Sequence, residues 1–228
     1  FVNATQDAQG TIFQLSVEHF RRAKPRCSGI ALCHFMTYWP DMKWGIVDNY
    51  QEPKRSYYYV QRAYQPLLVS LQFERRRWKQ GEVFAGQVWI VNDTYLEHED
   101  CQIQVTITDD EGILLHEESI DVTSIDPDSS ASITNIQWNI AEQVENQFHV
   151  FLSLQDKTGN ELSHNQYLLL IGDQASARER MEAMGREKSE STDEYTYGNY
   201  YRFYPDIIQQ DDRDWESQTQ TPQADLFS

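Results

Sequence analysis

The hydrophobic pattern of this 228-residue chain changes period twice. Over residues 1–66 it is helical, then mixed, then helical again. Asn3, with Gln6 three positions on, resembles a capping box, and an amphipathic pattern follows. Ala8, Ile12, Phe13, Leu15, Val17 and Phe20 share one broad face, with Gln14, Glu18 and Arg21 opposite. Arg21, Arg22 and Lys24 crowd the last turn, where cations suit the helix dipole, and Pro25 stops it. The run "CSGIALCHFMTYW", residues 27–39, is mostly apolar without clean alternation, which predicts a strand buried on both faces of a parallel sheet. Residues 54–64 are helical again, between Pro53 and Pro66. Helix, buried strand, helix is the grammar of an α/β unit, here too short to close by itself.

From 67 to 171 the period becomes 2. Cys101, Ile103, Val105 and Ile107 alternate with Gln102, Gln104, Thr106 and Thr108, as a half-buried strand should. Similar strands are predicted over 67–74, 82–92, 113–119, 131–138, 148–155 and 163–171. The turns between them include Lys79-Gln80-Gly81, Asp109-Asp110-Glu111-Gly112, Asp126-Pro127-Asp128 and Lys157-Thr158-Gly159-Asn160. About seven short antiparallel strands in about a hundred residues is the signature of an immunoglobulin-like sandwich. Residues 172–228 shift again: a short helical pattern over 174–188 leads into "TYGNYYRFYP" and an acidic, Gln-rich end that reads as disordered. The tyrosine cluster at 195–204 is too aromatic for a solvated linker and reads as docking on another surface.

Composition narrows the functions. At 39% hydrophobic and 13% aromatic, the chain can bury a core. A net charge of −17 argues against nucleic acid and anionic membranes as partners, because both need Lys/Arg-rich faces. No apolar run approaches the roughly 20 residues of a membrane span, and the first residues show no basic-then-apolar leader. Since the chain opens on Phe1, it reads as a processed product or a portion of something longer. Cys27, Cys33 and Cys101 form no metal-ligand pattern or disulfide framework; they read as buried free thiols, compatible with a reducing compartment and favouring the cytoplasm. Asn3-Ala4-Thr5 and Asn92-Asp93-Thr94 match the glycosylation triplet.

Chemistry-bearing motifs are few. There is no Gly-rich phosphate loop, no His-x-x-x-His or Cys-x-x-Cys pair and no Gly-x-Ser-x-Gly elbow, so no cofactor and no metal are expected. The Asp-rich turns lack the ligand spacing of an EF-hand. His34 reads as a hydrogen-bonded core histidine. Trp39 and Asp41 stand out because they end the predicted strand, and the C-terminal ends of parallel strands are where α/β folds assemble their sites.

These residues resemble a family. "RRAKPRCSG" leading to "YWPDMKWGIVDNYQEPKRSYYYVQRAYQPLLVS" looks like the end of the catalytic barrel in family 2 glycoside hydrolases, the β-mannosidase branch. "VWIVNDT" and "DKTGNELSHNQYLLL" resemble the immunoglobulin-like domain that follows that barrel. Order, spacing and domain change match together over about residues 9–171. The resemblance implies an α+β fragment: residues 1–66 as the last helix–strand–helix of a (β/α)8 barrel, 67–171 as an immunoglobulin-like β-sandwich, and 172–228 as a short helix and acidic tail. It implies a retaining enzyme that removes terminal β-linked sugars with a glutamate pair about 5–5.5 Å apart, both upstream of this sequence. No catalytic residue is therefore expected here. Trp39 and Asp41 are the substrate-binding candidates, with the indole covering the C–H face of a pyranose. The implied partners are a carbohydrate and the remainder of the barrel. Trp44 and Tyr57–Tyr59 are expected to pack as core. This chain departs from the pattern at Met36-Thr37, where many members carry Asn-Asp on a strand that helps hold the sugar. A second reading, a non-catalytic carbohydrate- or protein-binding sandwich, requires an exposed aromatic row, with Trp89 and Trp138 as candidates.

Overall fold

Two mainly antiparallel sheets face each other across a core of alternating apolar side chains. The computed structural model describes residues 2–39 and 44–172. Two helices, α1 (Val2–Arg22) and α2 (Arg55–Ala63), precede eight strands. These are β1 (Leu67–Gln72), β2 (Arg77–Trp78), β3 (Val83–Asn92), β4 (His98–Thr108), β5 (Leu114–Ile125), β6 (Ser129–Asn139), β7 (Gln147–Gln155) and β8 (Glu161–Ile171). One sheet has the order β1-β3-β6, the other β2-β8-β7-β4-β5. This is the split of a Greek-key, immunoglobulin-like sandwich. Seven strands coincide with the predicted ones. Only the two-residue β2, which pairs in parallel with the end of β8, lacks a sequence signal, because "RRRW" has neither length nor alternation. The predicted helix at 174–188 and the acidic end lie outside the described residues.

The core follows the alternation. Phe84, Val88 and Ile90 of β3 are fully buried, as are Ile103, Val105 and Ile107 of β4 and Phe148, Val150, Leu152 and Leu154 of β7. Trp78, Phe84, Phe148 and Trp138 form an edge-to-face chain with centroids 5.3–5.4 Å apart, the arrangement their ring quadrupoles favour. Gly86 keeps this interior closed, since a Cβ there would come within 2.8 Å of the Leu71 side chain.

Strand β8 differs, because its inward residues include Ser163, Asn165 and Tyr167. They face the edge of β1 that β3 leaves unpaired. The Val69 N–H donates to Ser163 Oγ (3.1 Å) and the Leu71 N–H to the Tyr167 hydroxyl (2.8 Å), while Asn165 Nδ2 donates to the Val69 carbonyl (3.0 Å). Side chains thus satisfy buried backbone groups that a neighbouring strand would otherwise satisfy.

Helix α1 docks on this seam with polar positions as well as apolar ones. Gln14, Glu18 and Arg21 are buried, whereas Phe20 is 44% exposed. Glu18 accepts from Asn165 Nδ2 (2.8 Å), Gln14 Nε2 (3.1 Å) and the Tyr167 hydroxyl (2.8 Å), and lies 3.5 Å from Arg22 Nη1. Arg21 donates from Nε and Nη2 to Asp93 Oδ2 (3.1 and 2.7 Å) and from Nη1 to the Ala63 carbonyl. Lys24 reaches Asp93 at 2.6 Å and also pairs with Asp128. The cations read as dipole partners therefore have specific acceptors on the sandwich. Apolar periodicity found only part of the buried surface, Val17 with Leu15 and Phe13; the polar positions are buried as well because the seam offers hydrogen-bond donors. The expected capping box is absent too: Asn3 is inside α1, and Gln6 Oε1 accepts the Arg55 N–H (2.9 Å), capping the first turn of α2 instead.

Burial pushes the Glu18 carboxyl above its ordinary 4.5, against the opposing charge of Arg22 and three hydrogen bonds. Burial likewise raises Asp93, but the Lys24 hydrogen bond and the Arg21 charge outweigh it and hold that carboxyl below 3.8. Linkage then gives opposite signs. The Glu18 contribution is complete below about 4.5 and is lost as pH rises through the raised value; the Asp93 contribution is present above about 3.8 and is lost as pH falls. We expect Glu18→Ala to destabilise the chain by about 3–5 kcal/mol, since it strands Arg22, Asn165 and Tyr167. Glu18→Gln should remove the decline in stability above pH about 4.5 while preserving the acid-side loss. Denaturant unfolding of the three proteins across pH tests both.

Candidate functional site

The segment between the helices, which carries both substrate-binding candidates, was predicted as a buried strand. In the structure residues 27–39 contain no strand longer than a bridge. Met36 bridges Val47 in parallel and Val47 bridges Pro53. The Thr37 N–H donates to the Val47 carbonyl (2.9 Å), and the Ile46 and Val47 N–H groups both donate to the Phe35 carbonyl (3.0 Å). A strand buried on both faces needs a ladder on each side, and among the described residues only 46–47 supplies one. Ile46, Val47 and Val60 form a small core with Phe13, Leu32, Met36 and Tyr57 around it.

Trp39 leaves this element 66% exposed. Asp41, the other candidate, lies outside the described residues, as does Pro40. Trp44, expected in the core, is 53% exposed; what is buried is Gly45-Ile46-Val47, which turns inward immediately after it. The tyrosines divide. Tyr58 is exposed. Tyr59 is half-buried, with its ring against Gly10, its hydroxyl donating to Asp7 Oδ1 (3.2 Å) and the Arg62 guanidinium 4.9 Å from its centroid. Phe35 meets Tyr57 edge-to-face at 6.3 Å. Phe35, Tyr38, Trp39, Trp44, Tyr50 and Tyr58 are all exposed within one short stretch of chain. His34 is exposed rather than a core histidine, and so is Cys33; Cys101 is the buried thiol.

Asp48 has a conformational task. Its Oδ1 accepts the N–H groups of Tyr50 (2.8 Å) and Glu52 (2.9 Å), and Gln51 adopts a φ of 69°. The same loop recurs at Asp109 with Gly112 (φ 82°) and at Asp156 with Gly159 (φ 84°). Hydrogen bonds from Thr158 and Asn160 hold the Asp156 carboxyl far below its usual range. These carboxylates close their own turns, and no group of acidic, His or Cys residues suited to a metal occurs among the described residues. Asn92 is buried with Nδ2 donating to the Leu96 and Asp126 carbonyls (2.8 and 3.0 Å), which closes that glycosylation triplet in the folded chain. Trp89 and Trp138 are half-buried, Trp138 in the aromatic chain, and form no exposed row. No helix among the described residues is long and apolar enough to cross a membrane.

No family model matches the sequence. Curated relatives do. Beta-mannosidase B of Aspergillus niger is 30% identical over 81 residues, and that of Emericella nidulans 28%, each match covering 34% of this chain. The matched stretch is 10% of those proteins' length. Among solved structures, the exo-chitosanase CsxA of Amycolatopsis orientalis superposes with a TM-score of 0.62 at 18% identity, over 75% of this chain and 19% of that one. The β-D-mannosidase of Dictyoglomus thermophilum gives 0.56 at 25% identity, over 72% and 19%. The fold is that of the β-sandwich region of such large glycosidases. The chain is similar to the β-mannosidase-like, C-terminal region of family 2 glycoside hydrolases.

The packing makes a contrast measurable in this chain. Trp39→Ala and Trp44→Ala should each change stability by no more than about 0.5 kcal/mol, as exposed positions do. Gly45→Ala should cost about 1–3 kcal/mol, because a Cβ there would collide with Thr37 Oγ1 and lie 3.0 Å from the Thr37 nitrogen. Thr37→Ala should restore part of that loss. Equilibrium unfolding of the four variants checks the ranking.

Proposed function

We propose that this chain is the C-terminal portion of a retaining glycoside hydrolase that removes terminal β-linked sugars, β-mannosidase-like, and that it is inactive alone. In this reading residues 1–66 finish the catalytic barrel, 67–171 form the sandwich and 172–228 follow in sequence. The observation that carries the reading is the cluster of exposed aromatics between Phe35 and Tyr58. Soluble proteins rarely leave so many large rings uncovered along one stretch of chain unless they meet a partner. A barrel would supply that partner, pairing the edges of residues 27–39 and covering Trp44, Tyr50 and Tyr58. It would leave Trp39 at the rim, where an indole face can cover the C–H face of a sugar and shield a developing oxocarbenium ion from water. Among the described residues Glu18 is the one fully buried carboxylate, and its four neighbours bind it as a structural group.

The reading predicts no turnover of aryl β-mannosides or β-glucosaminides by the isolated chain. Measurable hydrolysis that disappears when a carboxylate of this chain is substituted would end the proposal. In the complete enzyme, Trp39→Ala should lower kcat/KM by about tenfold or more, equivalent to about 1.4 kcal/mol of transition-state stabilisation, with near-normal melting.

A further inference from the structure

Each sheet of the sandwich has edges, and an unpaired edge invites another strand. This molecule closes or guards most of them. The open side of β1 is capped by Ser163, Asn165 and Tyr167. β2 is only two residues long. β5, an outer strand of twelve residues, carries Glu117, Glu118 and Asp121, with His116 beside Glu118 at 3.7 Å. Charges of this kind are the usual defence of an edge.

β6 has no such charge; its one irregularity is a bulge at Ile133, where the register with β3 shifts. It is the outer strand of its sheet and pairs, among the described residues, with β3 alone. Its eleven residues, "SSASITNIQWN", contain no charged side chain, in a protein of net charge −17. Ser130 Oγ donates to the Arg22 carbonyl (3.1 Å), which ties its first turn to α1. Beyond that point Ala131, Ser132, Asn135, Gln137 and Asn139 are exposed.

We propose that residues 131–139 are a self-association edge, pairing antiparallel with the same residues of a second copy of this chain. The charge pattern selects that occupant. A basic strand finds no carboxylate along β6 to meet, and an acidic one meets only the surrounding negative field. A neutral strand loses nothing, and this chain supplies a neutral strand of matching length. Pairing about a twofold axis at Asn135 sets Asn135 opposite itself and Thr134 opposite Ile136, with the bulge at Ile133 flanking this centre on each side, an isologous contact that closes at two copies. It joins two three-stranded sheets into one of six. The opposing force is repulsion between like-charged molecules, so association is salt-dependent in a defined direction.

The experiment is sedimentation velocity on the full 228-residue chain, with backbone hydrogen exchange as a second readout. In about 10 mM salt, where screening extends over about 30 Å, the chain should be mostly monomeric. In about 1 M salt, where it falls to about 3 Å, dimer should accumulate with protein concentration, and amides of 131–139 should gain protection. Asn135→Glu with Gln137→Glu, which copies the guard of β5, should weaken the dimer by at least about tenfold without changing the monomer's melting, since like charges set opposite each other are costly. A chain that stays monomeric at high salt overturns the proposal. So does association that survives the double variant, or that is abolished only by substituting Trp39 and Phe35, which would place the contact on the aromatic surface.

Discussion

Everything between the helices and the sandwich depends on one buried carboxylate. A charge withdrawn from water is costly unless its hydrogen bonds are replaced, and Glu18 is 0% exposed. Its donors come from Gln14 of its own helix and from Asn165 and Tyr167 of the last strand, 147 and 149 residues away in sequence. Asn165 and Tyr167 also hold the free edge of β1. The network is therefore shared: it seats α1, closes a sheet edge and fixes the spacing of β1 and β8. Such networks are all or nothing, because a half-satisfied one leaves buried dipoles unpaired.

Around that centre the helix is fastened by charge. Arg21 and Lys24 converge on Asp93 from α1 and the turn after it, and Lys24 continues to Asp128. The two loops involved end β3 and precede β6, so the helix is referenced to the rims of the three-stranded sheet. On its other side Gly10 lets the Tyr59 ring approach to a distance at which a Cβ would lie 2.6 Å from it. One helix thus joins two small assemblies, the sandwich and the α2 cluster, through polar groups on one side and a missing side chain on the other.

The aromatic stretch from Phe35 to Tyr59 shows why residue type alone does not assign a role. Trp39 and Trp44 have the same side chain and the same exposure class here, and Tyr57, Tyr58 and Tyr59 are consecutive yet differ in burial. On a helix, consecutive residues point about 100° apart, so a run of tyrosines cannot be uniformly buried. Asp48, by contrast, lies in a loop whose geometry repeats at Asp109 and Asp156. In each case the aspartate three residues before a positive-φ position is the turn itself.

The sequence by itself determined the sandwich. Period-2 alternation and Gly- or Asp-bearing turns are local properties, and they located seven of the eight strands, because which side of a strand is buried follows from the pleat. It also carried the likeness to β-mannosidases, through the order, spacing and domain change over about residues 9–171. Tertiary structure alone decided which face of α1 is buried, what the end-of-helix cations do and whether residues 27–39 form a strand. The physical reason is the same in each case. Those outcomes depend on groups outside the segment concerned: donors on β8 that let polar positions of α1 be buried, acceptors at Asp93 and Asp128, and strand partners, which residues 27–39 find among the described residues only at 46–47.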